Sequence, residues 1–372
     1  TPSTTEPTPV QAILDKMTLR DRAAQVLLLA FDGTTMLSTT EELLLESPPG
    51  GFLLLSRNVA GAEQIRSLCE TLQRTAANGG AEIGLFIAVD QEGGSVQRIH
   101  SGVPRVPAAR VLGDAGSLMD ARTLAAETAT ALLALGVNMN LAPVADVVSD
   151  PDSFLYDRTY AGDPTLVSNF VKTVTDGFVQ NGLVVAVKHF PGHGSAPGDT
   201  HGEAVVSETS EYDFATIHLR PFKAALSAGA QCVMMAHIVA NAYDPAAPAS
   251  LSRTVIEEVL REGLEFTGVV VADDLEMAGA AAAMGSGAAG ALGPAAAAGS
   301  EPEPGELAVR ALEAGCDLLI STGPLPRQTA MIDAIVEAVR SGRLSMSRLN
   351  EAVRHVLDVK WRQGLVAPGT ES

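Results

Sequence analysis

Eight short apolar runs, each ending in polar or ionisable residues, limit what this chain can fold into more than any other feature. They occupy residues 26–31, 51–55, 85–89, 137–141, 184–187, 232–235, 268–271 and 317–320. Most are dense in Val, Leu, Ile or Met without polar alternation, the pattern of a parallel strand buried on both faces. Between most of them lie segments with helical apolar spacing, at 62–77, 118–135, 165–180, 212–228 and 306–314. Strand and helix alternating in this way predict an α/β chain forming a single-domain (β/α)8 barrel of the TIM type.

The residues at the run ends sharpen that prediction. Asp32, Ser56-Arg57-Asn58, Asp90-Gln91-Glu92, Pro143 with Asp146, Lys188-His189, His237, Asp273-Asp274 and Ser321 follow the eight runs in turn. A barrel carries its active site at the carboxyl ends of its strands, so these groups are expected to converge on one mouth. A doubly wound sheet would place functional residues only at its switch-point exits. The stretch 341–361 reads as an amphipathic terminal helix, expected to close the outer ring. The catalytic domain is expected over 10–362, flanked by a disordered Thr/Pro-rich spacer at 1–9 and a tail at 363–372. A low-complexity Ala/Gly/Pro insertion is expected at 279–305.

Composition removes several classes of function. At 46% hydrophobic and 19% charged residues, the 372-residue chain has ample material for a large core. Its formal net charge of −19 and lack of a basic stripe exclude a nucleic-acid backbone as an expected partner. Cys69, Cys232 and Cys316 are too scattered for a disulfide framework or a zinc knuckle and read as core thiols. No apolar run approaches the roughly 20 residues that span a bilayer. The polar opening Thr-Pro-Ser-Thr-Thr-Glu-Pro resembles the spacer left by a removed secretory or lipoprotein signal. An extracytoplasmic enzyme, secreted or lipid-anchored at the cell envelope, is therefore expected, with a cytoplasmic enzyme as the alternative. A monomer is expected.

The chemistry concentrates in Lys188-His-Phe-Pro-Gly-His-Gly-Ser-Ala-Pro-Gly-Asp-Thr-His201, where Gly and Pro break the strand and leave its polar groups on a loop. Asp199 stands two residues from His201, a spacing that lets a carboxylate orient an imidazole and stabilise its protonated form. Asp273 ends the seventh run and can act as a nucleophile, with a helix N-cap as its alternative role. Its neighbour Asp274 is expected to point elsewhere, because successive side chains on a strand face opposite ways. Zinc is a rival occupant of the region, through His189, His193, Asp199 and His201. The absence of HExxH or H-x-H spacing and the nearby Lys188 oppose it, so no metal or cofactor is expected. His193 is equally readable as a structural hydrogen-bonding partner in the bend that Phe190-Pro191-Gly192 begins. Asp90, Glu92, Gln97 and Arg98 around Gly93-Gly94 form a mixture suited to a polyol. Arg158 is a further donor or an ordinary surface ion pair.

At these residues the chain resembles the single-domain bacterial β-N-acetylglucosaminidases of glycoside hydrolase family 3, the NagZ type. Lys188-His-Phe-Pro-Gly-His-Gly194 with Asp199-Thr-His201 carries most of the resemblance. Asp90-Gln-Glu-Gly-Gly94, Leu141-Ala-Pro-Val144 with Asp146, Met235-Ala-His237 and Asp273-Asp-Leu275 support it. The resemblance implies a retaining exo-hydrolase that removes terminal β-linked N-acetylglucosamine from peptidoglycan-derived muropeptides. It implies Asp273 as nucleophile, His201 as acid/base with Asp199 as its partner, and Asp90, Arg98, Arg158, Lys188 and His189 as sugar ligands. A histidine acid/base departs from the usual carboxylate pair. It leaves phosphorolysis as an alternative to hydrolysis; a sugar-binding protein without catalysis is another. The chain departs from the family pattern at Ser95, at Ala272 and in the 279–305 insertion.

Overall fold

In the computed structural model, which describes residues 9–79, 83–280 and 303–366, every one of the eight runs contains a strand. These are β1 (Leu27–Leu29), β2 (Gly51–Leu54), β3 (Phe86–Val89), β4 (Met139–Asn140), β5 (Val184–Phe190), β6 (Cys232–Met235), β7 (Val269–Ala272) and β8 (Leu318–Ser321). All pair in parallel, and the ladder closes when Leu27–Leu29 of β1 meets Leu319–Ser321 of β8. The fold is the expected (β/α)8 barrel. Residues 1–8 of the expected 1–9 spacer, most of the insertion (281–302) and most of the tail (367–372) lie outside the described residues, whereas Pro9, expected in the spacer, opens the helix Pro9–Lys16.

Alternation along the strands divides the core into two layers. Leu28, Leu53, Phe86, Ala186, Met234 and Val271 belong to a cluster that fills the barrel. Their neighbours Leu27, Leu54, Ile87, Val185, Val233 and Val270 join the larger cluster beneath the helices. Both layers are apolar, which is why the runs lack a polar phase. Helices Ala62–Ala77, Leu118–Ala134, Pro164–Gln180 and Pro304–Ala314 fall on their expected segments. The stretch expected as one helix over 212–228 instead contains Glu211–Asp213, a π-helical turn at Phe214–His218 and Leu219–Ser227. All three cysteines are buried and free. Burial pushes the Cys69 thiol up to about 12, consistent with a core role.

The terminal helix corrects the sequence reading. Met346–Arg362 lies across the barrel floor rather than simply completing the outer ring. Val356 and Val359 belong to the cluster inside the barrel, and Lys360 is fully buried, its Nζ 2.8 Å from Gln25 Oε1 and 5.2 Å from the Phe86 ring centroid. Gln25 precedes β1 and Phe86 begins β3, so these contacts are at the amino ends of the strands. The physical reason is that an open floor would expose the inner layer of side chains, and an amphipathic helix seals it. Beside it, buried Asp317 at the start of β8 accepts hydrogen bonds from Arg261 (2.5 Å), Arg348 (2.9 Å) and the Val270 N–H (2.9 Å), and pairs with His355 at 3.0 Å. No helix among the described residues is long and apolar enough to cross a membrane.

Candidate active site

At the opposite end, the strand exits enclose a cavity of about 360 Å³. Asp90, Arg98, Arg158, Lys188, His189, His201 and Asp273 all line it, together with Glu92, Asp274, Met277 and Thr322. Asp199 stands behind His201. Convergence of the exits is nevertheless incomplete. Asp32, Arg57 and Asn58, from the first two exits, line no part of this cavity. Arg57 instead pairs with Asp32 at 2.8 Å, and buried Asn58 donates to the Phe31 and Gly33 carbonyls, so these groups brace the loops.

One wall is a buried charge network centred on Glu92. Gly93 and Gly94 both adopt positive φ, at 104° and 56°, which lets the chain turn tightly between the short strands Gln91–Gly93 and Val96–Gln97. Arg158 grips Glu92 with two hydrogen bonds of 2.9 Å. Lys188 Nζ lies 2.7 Å from Glu92 and 2.6 Å from Asp90. The Arg158 ion pair is thus a bidentate element of the cavity wall rather than a surface contact. Burial alone would raise the Glu92 carboxyl, but Lys188 and Arg158 outweigh it and hold the group at about 2. Burial similarly opposes the Lys188 charge, yet Asp90 and Glu92 raise its affinity for the proton. Both charges remain paired, so hydroxyl groups arriving here meet fixed donors and acceptors.

A carboxyl held below its ordinary value of 4.5 contributes stability above that pH, and loses it as pH falls towards 2. Glu92→Gln is expected to destabilise the protein by roughly 3 kcal/mol at pH 7, because it leaves two buried cations under-compensated. It should also flatten the acid limb between those pH values. Denaturant unfolding across pH measures both effects.

Beneath the cavity, buried Asp146 holds His189 through a 2.7 Å contact with Nδ1 and accepts a 3.1 Å hydrogen bond from the Gly194 N–H. Burial would raise Asp146, but His189 and the backbone donor lower it below the usual carboxylate range. His237 is also buried, bonded to Ser250 Oγ at 2.7 Å and to the Asp274 carbonyl at 3.0 Å, so it supports the β7 exit from below.

Asp273 and Asp274 acquire different environments. Among the described residues Asp273 Oδ1 accepts only the adjacent Asp274 N–H, at 2.8 Å, which is not an N-cap bond to a following helix. Asp274 turns toward the β8 exit, accepting hydrogen bonds from the Thr322 N–H (3.1 Å) and hydroxyl and from the Glu276 N–H (3.1 Å). Burial raises both carboxyls. For Asp273, His189, the underlying His237, the Asp274 N–H and Lys188 reverse this and bring it below the ordinary value. For Asp274, burial and the Asp273 charge prevail and raise it. Adjacent carboxyls pushed apart in this way have distinct chemical capacities, with Asp273 the anion facing the cavity.

His201 Nδ1 lies 2.6 Å from Asp199 Oδ1, which also accepts the His201 N–H at 3.0 Å. The two side chains are 64% and 47% exposed, unlike the buried wall opposite. The bonds from His201 lower Asp199 against the opposing effect of burial. His193 is buried and meets Thr200 Oγ1 through Nε2 at 3.1 Å, the structural role open to it from sequence. Among the described residues, no group of three or more His, Cys, Asp or Glu side chains could hold a metal ion. Sequence reasoning passed over the central position of Glu92, and Asp146 and Thr322 as anchors. The placement of Glu92 and Asp146 in exit motifs is a signal and Thr322 only follows the Ser321 exit, but contacts across 43 to 66 residues decide their roles.

Comparisons with known proteins agree with this geometry. Residues 18–359 match the model of the glycosyl hydrolase family 3 N terminal domain. A curated β-hexosaminidase from Thiobacillus denitrificans is 37% identical over 265 residues, covering 70% of this chain and 72% of that protein. A family 3 β-N-acetylglucosaminidase from Paenibacillus superposes with a TM-score of 0.86 at 34% identity, over 96% of this chain and 64% of the Paenibacillus chain. Native NagZ from Neisseria gonorrhoeae superposes with a TM-score of 0.69 at 25% identity, over 92% of this chain and 98% of its own. The chain belongs to glycosyl hydrolase family 3 and is a glycoside hydrolase of the kind its curated relatives represent, the β-hexosaminidases.

Proposed function

We propose that this protein is a retaining exo-β-N-acetylglucosaminidase that removes terminal N-acetylglucosamine from peptidoglycan fragments. The observation that carries this reading is the meeting of Asp273 and the Asp199–His201 pair at one cavity, opposite a wall of paired polyol ligands. The activities named for the relatives support the sugar class. Asp273, favoured as an anion, attacks the anomeric carbon while His201 gives its proton to the departing glycosidic oxygen. Asp199 holds Nδ1 and leaves Nε2 to exchange the proton. A glycosyl ester on Asp273 results. His201, now neutral, takes a proton from water as the water oxygen attacks the same carbon, and Asp273 departs as the carboxylate.

Turnover of an aryl N-acetyl-β-glucosaminide tests the activity, and purified muropeptides set against chito-oligosaccharides test the natural substrate. No turnover of either class would overturn the activity, while preference for chito-oligosaccharides would overturn the peptidoglycan assignment alone. Arg98 offers an additional check, because its buried Nε has no hydrogen-bond partner among the described residues. Arg98→Ala should raise KM by about 10- to 100-fold, the scale of a lost charged hydrogen bond to the sugar. The variant's melting temperature should remain near that of the wild type, as no ion pair among the described residues is broken.

A further inference from the structure

The exposed His201 loop has one buried point. Thr200 is only 2% exposed, between the half-open side chains of Asp199 and His201. Its hydroxyl meets His193 Nε2 at 3.1 Å, and its carbonyl accepts the Gly279 N–H at 2.9 Å. Gly279 lies six residues beyond Asp273 on the segment leaving β7. That segment is itself fixed to the β8 exit by Leu275 N–H donating to the Ile320 carbonyl at 3.0 Å, and by Asp274 holding Thr322. Phe154 completes the seat, its ring edge-on to His193 at 5.2 Å and to His201 at 6.3 Å. The approach at Gly279 requires the missing side chain. A Cβ there would stand 2.7 Å from the Thr200 oxygen and 2.9 Å from its Cβ.

We propose that Thr200 is a positioning residue for the reaction. Its hydroxyl and carbonyl latch the His201 loop to His193 and to the Asp273-bearing segment, setting one spacing between proton donor and nucleophile. This rests on reading His201 as the acid/base. A loop whose functional side chains are largely in water has little packing to hold it, so two hydrogen bonds at its buried residue decide where it rests. Proton transfer is sensitive to that placement, whereas binding in the charged wall is not.

The test compares kcat/KM on a 2,4-dinitrophenyl N-acetyl-β-glucosaminide, which needs no proton, with kcat/KM on an N-acetylglucosamine disaccharide, which does. Thr200→Val should lower the disaccharide value by about tenfold or more and leave the dinitrophenyl value within about twofold. Thr200→Ser, which keeps the hydroxyl, should restore it. Gly279→Ala should reproduce the Val phenotype by displacing the Thr200 carbonyl. In a His201→Ala background, Thr200→Val should add little, since both act on one step. Equal losses on both substrates, full additivity with His201→Ala, or a disaccharide value unchanged in both Thr200→Val and Gly279→Ala would overturn the latch. If His201→Ala itself shows no leaving-group dependence, the acid/base reading fails and the latch falls with it. Retained turnover of the dinitrophenyl substrate reports that each variant is folded.

Discussion

Replacing Asp273 with alanine should lower kcat/KM on an aryl N-acetyl-β-glucosaminide by roughly 10⁴-fold or more, the scale reached when a nucleophile is deleted from a cooperating set. The melting temperature should change little, because among the described residues the carboxylate accepts one hydrogen bond, from its neighbour's N–H. Asp274→Asn is the informative comparison. Its carboxyl is raised by burial and by the Asp273 charge, and it anchors Thr322 and Glu276. Its replacement should therefore cost stability before chemistry. Comparable rate losses in both variants would show that the two carboxyls are not divided as their surroundings indicate.

His201→Ala should produce a loss that depends on the leaving group. Release of an unactivated alcohol or sugar should slow by about 10²- to 10⁴-fold, the contribution of a positioned proton donor. An activated phenol departs as its anion, so glycosylation of the enzyme should be nearly unaffected and the intermediate should accumulate. Asp199→Asn should lie between, because the ring keeps its place but loses the carboxylate that stabilises its protonated form. Initial rates across a phenol series, with a burst measurement on the activated member, check this. Equal losses across the series would remove His201 from proton transfer and leave it a binding residue.

Much of the fold was legible because parallel barrel strands are buried on both faces and have no polar phase to blur them. Cys232–Met235 is recovered to the residue, and the other seven to within a few positions. The polar exits were equally visible, since an ionisable group at the end of an apolar run has to reach solvent, a cavity or a partner. What each exit group does was not visible. Asp32 and Arg57 hold each other, Asn58 braces two carbonyls and His237 lies beneath the site. All four look in sequence like residues that face the ligand. The terminal helix shows the same division, with an apolar face readable from its spacing but no sign of which surface it seals.

The chain's own order thus determined the barrel, the end of it that carries chemistry, and the residue types available there. Local periodicity and turn chemistry act within a few residues, and that is the range over which a sequence expresses itself directly. Tertiary structure decided which of those residues meet. It joined Glu92 to Arg158 and Lys188, Asp146 to His189, and Thr200 to Gly279. It also made Asp273, rather than the adjacent and chemically identical Asp274, the carboxylate favoured as an anion. The reason is that burial and opposing charge depend on groups distant in the chain, and barrel closure alone sets their distances.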